Sequence, residues 1–295
     1  MTARADESRY WGERQTSDPP DHRLRRRAAS PQQLWEDPEV EAIARGRFVD
    51  RLLDRCGPEP ARVLELACGV GWLALELARR GHDVLGMDIS EQRIVQARLY
   101  AERIAPREPR PLRLRYEVAD LNTALLPAET FDRIVCWDGL HHIAEIERLL
   151  MQAHRSLRPG GRLLAFDHVG PRSPLQGWID RGAAVLVTAA CRPGSLPRLF
   201  RAEASGSEHA ESEGAAGREI VSLVREIFGA PNVGTEEALG FGKRWLARLR
   251  GPRSARLSFV RGAVAFDRLL LRCRITTGEY LYLEARKQQK RRKQT

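Results

Sequence analysis

From Arg62 onward, short apolar runs alternate with stretches whose apolar residues recur at helical spacing. Arg62–Leu66 reads as a strand, Gly71–Arg80 as a helix, Asp83–Met87 as a strand and Glu91–Arg103 as a helix. Leu112–Val118 alternates as a strand does and leads into the polar DLNTALLPAET. Phe131–Trp137 is the next strand. Glu145–Leu157 comes after it as a helix that sets Ile146, Leu149, Leu150, Ala153 and Leu157 on one face. It stops at the breaker cluster Arg158-Pro-Gly-Gly, and Gly161–Phe166 is again a strand. This alternation implies βαβ units and a parallel sheet.

Outside that stretch the rhythm changes. Residues 1–60 are polar and Pro-containing at first, then helical in spacing over Pro38–Cys56, and read as an N-terminal helical segment or lid. Tyr10 and Trp11 there can fold over a ligand or anchor in the core. Residues 61–167 carry the alternating core. Residues 168–216, with Pro171, Pro174, Pro193 and Pro197, read as an insertion over the carboxyl ends of the strands, where α/β sheets bind ligands. Residues 217–286 return to order with a helix over Glu219–Phe228 and a closing strand over Glu279–Ala285. Residues 287–295 form a basic tail.

Charge alters this picture only locally. The net charge is +10, yet Arg286–Thr295 holds six basic residues and Lys243–Arg261 seven, both without acids. The rest carries a net −3, so the body has no nucleic-acid signature and a solvated tail is the expected reading over a polyanion-docking patch. Five scattered cysteines (Cys56, Cys68, Cys136, Cys191, Cys273) show no C-x-x-C spacing and suggest neither a disulfide framework nor zinc. The longest apolar run, Ala183–Cys191, is too short to span a bilayer, and the charged MTARADESRYW does not read as a signal peptide. The expectation is a cytoplasmic protein. Oligomeric state leaves no mark in the sequence.

The sharpest chemical signal is VLELACGVGWLALELARRG, Val63–Gly81: strand, glycine-rich turn, helix. Gly69 and Gly71 let the backbone approach a ligand at a helix amino end. Asp88 ends the next strand, 23 residues after Glu65, where a carboxylate accepts both hydroxyls of a ribose. These features together imply an adenosine-containing cofactor. Gly69-x-Gly71-x-x-Ala74 also satisfies the dinucleotide pattern. Against a dinucleotide, Glu65 at the loop entrance repels a pyrophosphate and suits a cationic amino-acid group. Asp120 stands where it can accept from an adenine amine, and the chain shows no second mononucleotide half.

The pieces Glu65-Leu-Ala67-Cys-Gly69-Val-Gly71, GMDIS, Asp120-Leu121, FDRIVCWDGLHHI and LRPGGRLLAFD fall in order over residues 62–167. This third of the chain resembles class I S-adenosylmethionine-dependent methyltransferases. Ala67 departs from the usual glycine at that position. The resemblance implies a Rossmann-like, doubly wound seven-stranded sheet with an antiparallel last strand. It implies that Glu65, Gly69 and Gly71 surround the methionine part of S-adenosyl-L-methionine, with Ala67 also among the cofactor-binding residues. Asp88 would hold the ribose and Asp120 and Leu121 the adenine, with Ile89 and Trp137 also in contact with the cofactor. The later pieces DHVGP, GREIVSLVREIFG and EYLYLEARK look loosely like bacterial small-molecule methyltransferases.

Methyl transfer requires the acceptor to be held in line, and an oxygen acceptor also needs its proton removed. His141 and His142 run off the fourth strand into that neighbourhood and are the candidate bases. Adjacent residues are expected to diverge, so one at most would face an acceptor. Both can equally be structural, one of them capping the helix from Ile143. Asp167 and His168 end the next strand and can bind a hydroxyl. His141, His142, Asp167 and His168 could also hold a metal, although nothing in their spacing demands one. The reading is therefore methyl transfer to a small-molecule acceptor, most simply at an oxygen of a natural product or sugar. An RNA methyltransferase is disfavoured, because Trp137-Asp-Gly-Leu lacks the Asn/Asp-Pro-Pro-aromatic signature and no Pro-Cys pair occurs. A non-catalytic S-adenosylmethionine-binding protein is the other alternative, and a nicotinamide oxidoreductase comes last.

Overall fold

A computed structural model describes residues 47–168, 217–236, 252–273 and 280–288, with positions 39, 43 and 278. Helix α1 (Arg47–Cys56) leads into β1 (Arg62–Leu66), α2 (Trp72–Arg79), β2 (Asp83–Asp88), α3 (Glu91–Ile104) and β3 (Leu114–Val118). After these come β4 (Phe131–Trp137), α4 (Ile146–Ser156) and β5 (Leu157–His168). The fold closes with α5 over residues 217–228, β6 (Asn232–Glu236), α6 (Arg253–Arg272) and β7 (Tyr280–Arg286).

The strands form one seven-stranded sheet in the order β3-β2-β1-β4-β5-β7-β6. β1 to β5 pair in parallel, while β7 runs antiparallel between β5 and β6. The expected doubly wound sheet with an antiparallel last strand is what forms. Both faces are covered, which is why the central strands read as continuous apolar runs. Leu64 and Leu66 of β1 pack with Leu149, Leu150 and Ala153 of α4 and with Ile220, Val224 and Phe228 of α5. Val63 faces the other way, against Leu52 and Leu53 of α1, Leu73 and Leu77 of α2 and Ile94 of α3. Each fully buried Leu or Ile contributes about 1.5–3 kcal/mol.

The order of the strands locates the ligand crevice. The chain winds outward from β1 to β2 and β3, then returns to lay β4 on the other flank of β1. At such a reversal the loops after the two adjoining strands part, and the crevice opens above their carboxyl ends.

Several sequence expectations change in detail. The Arg158-Pro-Gly-Gly break does not form a loop, because β5 starts directly at Leu157. The register against β4 shifts between Phe131 and Arg133, and Gly160 takes φ 82°. The bent segment keeps its backbone paired, since Gly160 N–H donates to Lys287 O and Lys287 N–H to Gly161 O. β6 has no clear sequence signal, because NVGTE offers one apolar side chain beside a glycine. The period of α6 is hidden among its arginines. Of the helix expected over Pro38–Cys56, the element Arg47–Cys56 is described. The insertion beyond His168, Tyr10, Trp11 and residues 289–295 lie outside the described residues. Among the described residues no helix is long and apolar enough to cross a membrane.

Candidate functional site

The turn after β1 needs left-handed backbone at three places: Ala67 (φ 52°), Gly69 (φ 55°) and Gly71 (φ 75°). Gly71 opens α2 without a side-chain cap. The two glycines differ in what they make room for. A Cβ at Gly71 would lie 2.4 Å from the Tyr116 ring, whose hydroxyl donates to Gly71 O at 2.9 Å. Gly71 therefore accommodates a buried tyrosine of β3, not simply a ligand. At Gly69 the nearest group is the Arg93 guanidinium, 3.4 Å from a notional Cβ.

Asp88 ties the turn to β2. One carboxylate oxygen accepts Gly69 N–H at 2.8 Å and the other accepts Ser90 N–H at 2.9 Å. Ser90 in turn caps α3 by accepting Arg93 N–H. Glu65, at the end of β1, is buried beside the backbone of Ala74 in α2's first turn. Its Oε2 has no hydrogen-bond partner, and burial pushes its carboxyl pKa well above the ordinary range. Asp120 lies just past β3 and folds its own turn, with Oδ1 accepting from Asn122 N–H and Nδ2 at 3.0 Å each. Leu121 beside it is buried, whereas Ala67, Gly69, Ile89 and Trp137 keep partly exposed surface at the crevice.

After β4 the chain makes a strained corner. Asp138 takes φ 56° and donates its N–H to Phe166 O. Its Oδ1 is buried without a partner. Asp167, fully buried at the end of β5, organises the turn beyond that corner. Its Oδ2 accepts Gly139 N–H at 3.3 Å and Leu140 N–H at 2.6 Å, and its Oδ1 is hydrogen-bonded to His141 Nδ1. The His141 side chain is 5% exposed, whereas His142 is exposed. The expected divergence of the two histidines does not occur: their rings lie 3.8 Å apart, because the tight turn Leu140–His142 brings neighbouring side chains together. Neither histidine caps the following helix, which starts at Ile146 without a side-chain cap. His168 ends β5 opposite Tyr280. Donor atoms of Asp138, His141 and Asp167 lie within 4.8 Å of one another, so the trio resembles a metal-ligand set as well as a dyad.

Two features of the whole crevice bear on its chemistry. Glu65, Asp88, Asp120, Asp138 and Asp167 set one carboxylate at or just past the carboxyl end of each of the five parallel strands. Such a row attracts a cation and hydroxyl or amine donors. Beside it Trp137 stacks on Phe166 at 4.4 Å and meets Trp72 edge-on at 5.5 Å, and Phe166 extends the stack to Phe48 and Tyr280 at 5.0 Å. Burial pushes the Cys68 and Cys136 thiols well above their ordinary pKa, so neither is a nucleophile near neutral pH.

The methyltransferase-domain family matches residues 63–161. A demethylmenaquinone methyltransferase of Thermus thermophilus is 34% identical over 139 residues, which cover 46% of this chain and 59% of that protein. A ubiquinone biosynthesis O-methyltransferase of Coxiella burnetii is 33% identical over 101 residues, covering 34% of this chain and 41% of the relative. The chain thus spans about half the length of the curated relatives it matches. Phosphoethanolamine N-methyltransferase 2 of Haemonchus contortus, solved with S-adenosyl-L-methionine, superposes with a TM-score of 0.52 at 18% identity. That alignment covers 85% of this chain and 56% of the other, and the likeness is one of fold. Over residues 63–161, a third of the chain, this protein is similar to a methyltransferase domain.

Glu65, Ala67, Gly69, Gly71, Asp88, Ile89, Asp120, Leu121, Trp137, His141 and His142 all lie at the carboxyl ends of the parallel strands or in the turns that follow them. Sequence reasoning missed Tyr116, Asp138 and the bond from Asp167 to His141. Tyr116 is one aromatic in a short alternating strand, and nothing local marks it as the packing partner of Gly71. Asp138 is legible as an acid after β4, but its orphaned oxygen depends on the corner. Asp167 and His141 are 26 residues apart and meet only because β4 and β5 pair in parallel.

Proposed function

We propose that this protein transfers the methyl group of S-adenosyl-L-methionine to a small-molecule acceptor, at an oxygen of a hydroxylated ring or sugar. The observation that carries the reading is the row of carboxylates along the strand ends, beside a glycine turn at the sheet's switch point. The residues fit this cofactor. The unpartnered Oε2 of Glu65, beside Ala67, Gly69 and Gly71, suits an ammonium donor. Asp88 and Ile89 suit the ribose hydroxyls, Asp120 and Leu121 the adenine, and Trp137 borders the reacting end. When bound, the cofactor supplies a methyl carbon already activated by its sulfonium. The protein's own task is to hold the acceptor in line, to exclude water with the aromatic stack and to take up a proton at His141 or His142. The relatives named for menaquinone and ubiquinone synthesis support a hydroxylated ring as the acceptor class.

Calorimetric titration with S-adenosylhomocysteine, with NADH in parallel, tests the cofactor. Micromolar binding of the former alone is the expected result, and binding of NADH alone or of neither overturns the reading. Label transfer from methyl-tritiated cofactor to a soluble naphthohydroquinone and a substituted catechol then tests the acceptor class.

A further inference from the structure

Outside the crevice, α6 carries apolar residues on two faces. Its inner face is buried through Leu257 and Val260 and seats the helix on the fold. Its outer face is apolar as well. Phe259, Gly262, Phe266 and Leu269 recur at i, i+3, i+7 and i+10, so they form one stripe along the helix. Phe259 is 50% exposed, Phe266 54% and Leu269 54%, and a Cβ at Gly262 would meet nothing within 4 Å. Exposed Ala255 and Ala265 widen the stripe. A helix with an apolar face on each side has a second surface to cover.

The charges beside the stripe restrict what covers it. Arg261, Arg268 and Arg272, all exposed, recur at i, i+7 and i+11 as a row along one border. The helix has a single acid, Asp267, and it is buried on the inner side. Arg253 and Arg261 are held by Glu39 at 3.0 and 2.9 Å, so Arg268 and Arg272 carry more of the outward charge. The run Lys243–Arg261, with seven basic residues and no acid, leads into this same helix. Apolar aromatics flanked by arginine match the boundary between headgroups and acyl chains of an anionic bilayer. A nucleic acid would use the arginines but leave Leu269 and the alanines without a partner.

We propose that the outer face of α6 docks this protein on an anionic membrane surface, lying in the interface without crossing it. The phenylalanines and Leu269 enter the acyl boundary, and Arg268 and Arg272 meet lipid phosphates. The inference is independent of the crevice's chemistry.

Co-sedimentation of the full chain with vesicles tests it, using equal parts phosphatidylglycerol and phosphatidylcholine against phosphatidylcholine alone. Binding is expected to the anionic vesicles and to weaken at about 0.5 M salt, where the screening length falls to a few ångströms. The triple variant Phe259→Ser, Phe266→Ser, Leu269→Ser should lose at least about tenfold in partitioning. Its melting temperature and S-adenosylhomocysteine affinity should be unchanged. Arg268→Gln with Arg272→Gln should lose roughly thirtyfold at low salt. No binding to anionic vesicles, or equal binding by the triple variant, overturns the proposal. So does a light-scattering result in which the triple variant turns a dimer into a monomer while vesicles have no effect. Binding of polyuridylate in place of vesicles overturns it too.

Discussion

The methyl group of Ala67 fills the space that Gly139 leaves: a Cβ at position 139 would lie 2.7 Å from the Ala67 Cβ. Gly139 has φ −147°, which any residue can adopt, so space and not backbone freedom requires glycine there. Ala67 does carry strain, at φ 52°. The departure from the family's usual glycine at 67 is thus matched across the crevice floor by a glycine at 139. Gly139→Ala should cost about 1–3 kcal/mol by overpacking. Introduced together with Ala67→Gly it should cost at least about 1 kcal/mol less, as residues in direct contact couple. Urea denaturation of the four proteins of the cycle measures this. Equal costs in both backgrounds would place the strain at Cys136 Sγ, 3.3 Å from the same point.

Asp88 is both a candidate ribose ligand and the clamp of the glycine turn. Asp88→Ala frees Gly69 N–H and Ser90 N–H together. Hydrogen bonds to a charged group are worth about 1.5–3 kcal/mol each, so a hundredfold loss of S-adenosylhomocysteine affinity is the order expected. Melting temperature should fall as well. Calorimetry on the variant checks the affinity, and an unchanged value removes Asp88 from the ribose site.

The parallel core was legible because its strands are buried on both faces and its helices on one, so each leaves its own period in the sequence. The glycine turn and Asp88 were legible because backbone geometry at a strand–helix junction restricts residue type locally. Gly71 shows where local reasoning stops. Its lack of a side chain suggested ligand approach, but the Tyr116 ring, 45 residues away, fills that space. The Asp167–His141 bond and the two apolar faces of α6 depend likewise on what tertiary pairing brings near or leaves uncovered.

Glu65 makes the stability of the cofactor-free protein sensitive to pH. Burial raises its carboxyl pKa above the ordinary value of 4.5, so its ionised form is disfavoured in the folded state. A folded-state pKa above the unfolded one gives stability that is full below the unfolded pKa and lost as pH rises through the folded pKa. The free protein should therefore lose stability as pH rises from the acid side toward neutrality. Glu65→Gln should flatten that slope and melt higher than the parent at neutral pH. The same variant should bind S-adenosylhomocysteine more weakly, because the ammonium loses its carboxylate. Thermal melts of the two free proteins across roughly pH 5 to 8, a range above that ordinary value, test it; parallel slopes would show that Glu65 does not set the trend.

Asp167 separates the two histidines. Its Oδ2 anchors the corner through Gly139 and Leu140, and its Oδ1 engages only His141 in that pair. With the carboxylate on Nδ1, His141 holds its proton there and keeps Nε2 as an acceptor, the form a base requires. Asp167→Asn makes a selective test. The amide oxygen can still accept both backbone N–H groups, while its NH2 faces Nδ1 and forces the proton to Nε2. Turnover on a methyl-accepting hydroquinone should then fall by about 10²–10⁴, the range general-base catalysis supplies, with S-adenosylhomocysteine affinity unchanged. Nitrogen-15 shifts of the His141 ring should report the change of tautomer without any acceptor present. His142→Ala should retain most activity, in contrast to what its place in the sequence suggests. If Asp167→Asn shifts neither the ring nitrogens nor turnover, Asp167 is an anchor of the corner alone, and the proton leaves the acceptor by another route.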